Sequence, residues 1–275
     1  MAVEHGLRLC LLGGFQLLLN GGAEPLPRQA QRLLVLLALR SVETRSALAG
    51  TLWADVRESR AQSNLRNAVW RVGLVSRTAL LCSRQTIELS PRLSVDLQDC
   101  RGRAAALVSG EPLQAVADLI GVLDRDLLPA WDESWIALEQ ERQRQLRLHA
   151  LEALSARLCA DGRHPEAVAA ALAAVGAEPL RESAQRALIE AHLAEGNVSE
   201  AIRQFESYRR LLDAELAVAP GEQLQLMLQR ALARRGAEVA TDSYPAVATP
   251  RRSVQITTPR SPSPGRSSNT DGPPN

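Results

Sequence analysis

SRAQSNLRNAVWRVGLVSR, residues 59–77, is the stretch whose reading decides the fold. It holds four arginines (Arg60, Arg66, Arg71, Arg77) and no carboxylate. At about 100° per residue on a helix, Ala61, Leu65, Ala68, Val69, Val72 and Val75 share one side. Arg60, Ser63, Arg66, Asn67 and Trp70 fall opposite, with Asn64 and Arg71 on one flank. An aliphatic inner face with an outer face of Arg, Asn and Ser suits base edges in a DNA major groove. Arg forks guanine, Asn forks adenine, and Ser adapts to either. Taken alone, the pattern describes an ordinary surface helix at least as well. Its neighbours decide.

Upstream, 7–19 reads LRLCLLGGFQLLL, two short apolar runs broken by Gly13-Gly14. Asn20-Gly21-Gly22 then supplies a hairpin turn, and 23–27 is a third short strand, so a small antiparallel sheet is expected. Residues 29–39 carry Ala30, Leu33, Leu34, Leu37 and Ala38 at helical spacing. A shorter helix is expected over 46–53, with Ser46 as its N-cap. The 59–77 helix, beginning near Arg60, comes third. Beyond it, 80–82 and 86–89 are β-like runs flanking a turn, and 95–97 is expected to pair back onto that hairpin. Strands, three helices and a hairpin are the order of a winged helix with an extra N-terminal sheet. There the third helix enters the major groove and the hairpin reaches the neighbouring backbone or minor groove.

Charge agrees with this order. Residues 1–103 hold 14 arginines against 8 carboxylates, a net of +6, which fits a polyanion. Residues 104–234 hold 13 against 20, a net of −7, which fits a protein partner or solvent. All 32 basic residues are arginine. The absence of lysine excludes a Walker A loop, Schiff-base catalysis and a protein-kinase site. Cys10, Cys82, Cys100 and Cys159 are scattered, with no CxxC and no histidine at ligand spacing, so reduced thiols are expected rather than zinc or disulfides. His5, His149, His164 and His192 converge on no metal site, and no nucleophile–base set is defensible from spacing. The expectation is no enzyme, no cofactor and no metal. No apolar run has the length that spans a bilayer. The start, MAVEHGLRLCLLGGF, lacks the basic-then-apolar order of a secretion signal, so a cytoplasmic, nucleoid-associated protein is expected.

From about Ala104 the chain becomes helix after helix. A long amphipathic helix is expected to begin near Glu133. Gly162 and Gly196 are 34 residues apart, as are Glu166 and Glu200, and Ala167 and Ala201. Leu154 aligns with Leu188, Ala153 with Ala187, Ala150 with Ala184 and Val168 with Ile202. A 34-residue period of helix, glycine turn and helix is the tetratricopeptide signature, with Pro179 and Pro220 closing the units. After about Ala233, proline, serine, threonine and arginine dominate. The expected organisation is a winged-helix domain over 1–103, an all-α tetratricopeptide-like domain over 104–234 and a disordered tail over 235–275.

Several stretches together resemble the Streptomyces antibiotic regulatory protein family: LRLCLLGGFQL, PLPRQAQRLLVLLAL, LAGTLWAD and RAQSNLRNAVWRV, then LEQERQRQLRLHALEAL and AEPLRESAQRALIEAHLAEGNVSEAIRQFESYRRLLDAEL. The match covers roughly 7–230. It implies an OmpR-type winged helix joined to a bacterial transcriptional activator domain (BTAD). It further implies a sequence-specific activator that binds promoter direct repeats as a homodimer and recruits RNA polymerase through sigma and alpha-subunit contacts. The expected partners are therefore double-stranded promoter DNA and RNA polymerase, with no membrane. Two departures stand out: the hairpin turn SRQT has no glycine, and the chain shows neither a receiver nor a nucleotide-binding signature.

The DNA-contacting candidates are Arg60, Ser63, Asn64, Arg66, Asn67, Trp70, Arg71, Arg77 and Arg84. Arg66 and Asn67 are expected nearest the bases, and Arg60 and Arg71 nearest the phosphates. Arg28 and Arg32 are weaker backbone candidates. Two placements are open to Trp70: outward onto a sugar or thymine methyl, or inward as core. Trp53, Trp131 and Trp135 read as packing residues. The competing reading is a protein-interaction scaffold whose winged helix has lost its DNA role.

Overall fold

Alternation of apolar and polar residues starts the fold. In β1 (Leu7–Cys10), Leu7 and Leu9 are buried and Arg8 is exposed, as in any strand with one covered face. β2 (Gln16–Leu19) pairs antiparallel with β1, and β3 (Gly22–Ala23) folds back on β2. The turn is Asn20-Gly21, both at positive φ, the backbone a two-residue hairpin needs. This computed structural model describes residues 6–109 and 115–242. The described residues up to Leu232 form one compact unit.

Helix α1 (Arg28–Arg40) leads through a strand not expected from the sequence, β4 (Val42–Thr44), into α2 (Arg45–Leu52). Thr44 caps α2, its Oγ1 accepting the Ala47 amide at 3.2 Å. The expected cap, Ser46, lies inside the helix, because pairing of β4 with β6 holds Thr44 extended against the free amides. Next come α3 (Glu58–Val75), β5 (Leu80–Cys82) and β6 (Thr86–Leu89), with sheet order β4-β6-β5. The segment expected to close onto this hairpin does not. Instead β7 (Leu93–Val95) runs parallel to β1, pairing Leu7 with Leu93 and Leu9 with Val95. Leu93 and Val95 are both buried there, in the cluster that holds Leu7, Leu9 and Leu17, and burial of apolar side chains favours that pairing.

Helix α4 (Asp96–Val108) runs unbroken across position 103–104. It is followed by α5 (Val116–Leu123), α6 (Ser134–Ala160), α7 (His164–Ala177), α8 (Glu182–Glu195), α9 (Val198–Leu216) and α10 (Glu222–Asp242). α10 continues helically past 235, where the tail was expected to begin; residues 243–275 lie outside the described residues. The 34-residue period is a pair of helix pairs, α6–α7 and α8–α9. Gly162 and Gly196 make their turns with φ of 73° and 88°, a left-handed backbone that a Cβ disfavours. Leu154 and Leu188, and Ala167 and Ala201, are fully buried at matching places. Arg181 Nε and Ser183 Oγ, entering α8, both donate to Glu152 of α6 at 2.7 Å.

The N-terminal sheet is hydrogen-bonded to the segment before α6. Gly13 N donates to Asp126 O at 2.7 Å and Leu128 N to Leu11 O at 2.9 Å. Gln140 of α6 donates to the carbonyls of Leu127, Leu128 and Trp131. Glu133 receives Arg32 Nε at 2.6 Å, Arg28 at 3.3 Å and the Trp135 indole N–H at 2.6 Å. The Arg28 guanidinium lies 3.5 Å from the Trp131 ring centroid. One buried cluster therefore runs from Leu9 and Leu34 through Leu97 to Leu151 and Ala170.

Two predictions follow from this junction. Glu133→Ala leaves two arginines and an indole N–H without their acceptor. It should lower stability by about 1–3 kcal/mol, read as a lower urea midpoint with unchanged helical dichroism. Asp96 heads α4 with its carboxylate accepting Leu11 N at 2.8 Å and Leu12 N at 3.1 Å. Burial pushes its pKa above the ordinary 3.8, and hydrogen bonds from the Leu11, Leu12 and Leu97 amides pull it back only in part. A folded pKa above the unfolded one favours the protonated form in the fold. That stability is complete below 3.8 and disappears as pH rises through the folded value. Against Asp96→Asn, which does not titrate, the wild type should lose stability across that window in pH-resolved urea unfolding.

Candidate nucleic-acid interface

Helix α3 is placed by its inner face. Ala61, Leu65, Ala68 and Val72 are buried. The first three pack with Leu33, Leu36 and Leu37 of α1, Leu48 and Leu52 of α2, and Ile87 of β6; Val72 joins the cluster of the N-terminal sheet. This leaves Arg60, Ser63, Arg66, Asn67, Trp70 and Arg71 exposed, with Asn64 half-buried at the flank. The face assignment from periodicity is the one the fold adopts. Trp70 takes the outward placement at 56% exposure, whereas Trp53 and Trp131 are buried and Trp135 packs partly into the core. Leu74, not singled out in the sequence, extends the exposed row at 60%.

The row is ordered by its own hydrogen bonds. Ser63 Oγ donates to Ser59 O at 3.0 Å and accepts from Arg66 Nη2 at 2.8 Å. One hydroxyl thus ties the Arg66 fork to the helix backbone. Arg71 carries its guanidinium 5.0 Å from the Trp70 ring centroid, within cation–π reach.

The hairpin turn solves its lack of glycine with a serine. Ser83 Oγ accepts the amides of Gln85 at 3.1 Å and Thr86 at 2.8 Å, and meets Thr86 Oγ1 at 2.8 Å. Arg84 is left exposed at the tip. Arg45, the first residue of α2, donates its amide to Gln85 O at 2.8 Å and its Nε to Ser83 O at 3.1 Å. Sequence reasoning passed over Arg45 because its place beside the hairpin comes from the β4–β6 pairing. Arg77 is exposed in the turn between α3 and β5.

Charge pairing distinguishes this surface from the helix pairs α6–α9, where most arginines are ion-paired. Among the described residues, Arg45, Arg57, Arg60, Arg66, Arg71, Arg77 and Arg84 have no carboxylate partner within ion-pair distance. Arg28 and Arg32, the weaker candidates, differ in being paired with Glu133. Elsewhere the four cysteines are free thiols. Among the described residues no group of His, Cys, Asp or Glu is placed to hold a metal ion, and no helix is long and apolar enough to cross a membrane.

Residues 95–232 match the family described as Bacterial transcriptional activator domain. The chain belongs to this family. It is 30% identical over 257 residues to Regulatory protein AfsR of Streptomyces griseus, covering 84% of this chain and 25% of that protein. To Regulatory protein AfsR of Streptomyces coelicolor it is 31% identical over 219 residues, covering 74% and 22%. It thus spans about a quarter of the length of these relatives. Mycobacterium tuberculosis EmbR, solved in complex with a low-affinity phosphopeptide, shares the fold at a TM-score of 0.59 and 19% identity, covering 87% of this chain and 70% of that one. The family model and the two AfsR relatives together place the chain in the Streptomyces antibiotic regulatory protein family.

Two substitutions test the interface. Arg66→Ala should weaken binding to a selected promoter duplex by about 1–3 kcal/mol and relax selectivity at one base pair. Arg60→Ala should weaken all duplexes alike. Equal affinity of wild type and Arg66→Ala for every duplex in a competition titration rules out this face.

Proposed function

We propose that this BTAD regulator binds double-stranded promoter DNA and activates transcription from it. Helix α3 lies in the major groove with Ser63, Asn64, Arg66 and Asn67 toward base edges. Arg45, Arg57, Arg60, Arg71, Arg77 and Arg84 face phosphates on either side. The observation that carries the reading is the arginine set without carboxylate partners on α3, at its ends and beside the hairpin, exposed except for the half-buried Arg45, whereas most arginines in α6 to α9 are ion-paired. An unpaired guanidinium meets a phosphate without first losing a partner.

The family resemblance extends the reading. A homodimer occupies direct repeats, and the helical half contacts the sigma and alpha subunits of RNA polymerase in the cytoplasm. No cofactor and no catalytic step are part of it. The decisive measurement is binding to a promoter fragment across a salt series. Six phosphate contacts give log K against log salt a slope of about −5, and Arg60→Ala should reduce it by about 1. A flat salt response would favour the scaffold reading instead. Polymerase recruitment is checked by in-vitro transcription, where added protein should raise output from that promoter alone.

A further inference from the structure

Trp70 is out of place for a protein with so few aromatic side chains. Trp53 and Trp131 are buried, and Trp135 packs partly into the core with its N–H on Glu133. A packed aromatic ring buries roughly 150–250 Å², and leaving 56% of Trp70 in water forgoes much of that gain. One turn further, Leu74 is 60% exposed. The outer row of α3 therefore changes character along its length, polar from Arg60 to Asn67 and apolar at Trp70 and Leu74. Four residues apart on one helix face, Trp70 and Leu74 form a small apolar patch that continues the row of Ser63, Arg66 and Asn67.

The patch has a definite address. With a rise of about 1.5 Å per residue, Trp70 lies about 6 Å along the helix from Arg66 and about 4.5 Å from Asn67. Successive bases of one strand are about 3.4 Å apart. When Arg66 and Asn67 face base edges, Trp70 faces edges about one to two base pairs farther on. Those edges carry hydrogen-bond donors, acceptors and a single apolar group, the thymine methyl. The Arg71 guanidinium, 5.0 Å from the ring centroid, sets a cation against the indole.

We propose that Trp70, backed by Leu74, is a specificity-determining residue that reads the methyl group of a thymine next to the bases contacted by Arg66 and Asn67. This rests on the DNA-binding reading above and adds the base that the apolar end of α3 selects.

The test uses the full-length chain and random-sequence duplexes amplified with either dTTP or dUTP. Uracil keeps every hydrogen-bonding group of thymine and lacks only the methyl. The thymine pool should yield a motif with a required thymine. Replacing that one thymine by uracil in the selected duplex should weaken wild-type binding about fourfold, the effect of burying one methyl group. The same replacement should leave the affinity of Trp70→Ala unchanged. Uracil tolerated at every position by the wild type overturns the proposal while leaving DNA binding intact. So does a Trp70→Ala variant that keeps the uracil effect, or one whose only defect is lost self-association in sedimentation, which assigns the patch to a second copy. Enrichment from neither pool overturns the proposal and the DNA-binding reading together.

Discussion

Burial of α1 on every side is the constraint on which the rest of the structure depends. Six consecutive residues, Leu33, Leu34, Val35, Leu36, Leu37 and Ala38, are all buried, where a surface helix buries one stripe. Leu33, Leu36 and Leu37 face the cluster that seats α2 and α3. Leu34, Val35 and Ala38 face the cluster that continues into α4, α6 and α7. Each buried leucine contributes roughly 1.5–3 kcal/mol, and these same leucines set the angle at which α3 presents its outer row. With aromatics at 3% of the chain, aliphatic packing around this one helix does most of the positioning.

The ends of α1 show how polar groups reinforce that packing. Arg28 and Arg32, in its first turns, meet Glu133 just ahead of α6, and Trp131 and Trp135 close around them. The exposed face of α3 and the helical pairs are thereby joined through α1. The Asp96 carboxylate on the Leu11 and Leu12 amides makes a second polar link, at a site where burial opposes its charge. Buried polar groups of this kind stabilise only when fully partnered, which makes the junction sensitive to single substitutions.

Arginine does two distinct jobs in this lysine-free chain. In the helical pairs, Arg163, Arg203 and Arg209 each bind a glutamate three residues away, and such exposed pairs contribute little to stability. Around α3 and the hairpin, the guanidinium groups are left without carboxylates. The planar fork that suits carboxylates also suits phosphate and guanine edges. What distinguishes the two uses is the neighbouring residue, not the side chain itself.

Periodicity and local turn chemistry made much of this legible in advance. The inward and outward faces of α3 follow from 3.6-residue geometry, the Asn20-Gly21 turn from the need for positive φ, and the paired helices from Gly162 and Gly196. The faces of Arg60, Ser63, Arg66 and Asn67 are local properties, so the sequence by itself determined them. An indole suits core and surface contact alike, so Trp70 is open in the sequence; in the fold Ala61, Leu65, Ala68 and Val72 fill the packed face of α3 and Trp70 stays outside it. The parallel pairing of β7 with β1, the Thr44 cap, the grip of Arg45 on the hairpin and the capture of Arg28 and Arg32 by Glu133 were all tertiary decisions. Each joins segments distant in the chain, and such contacts depend on which surfaces meet once the aliphatic core has closed.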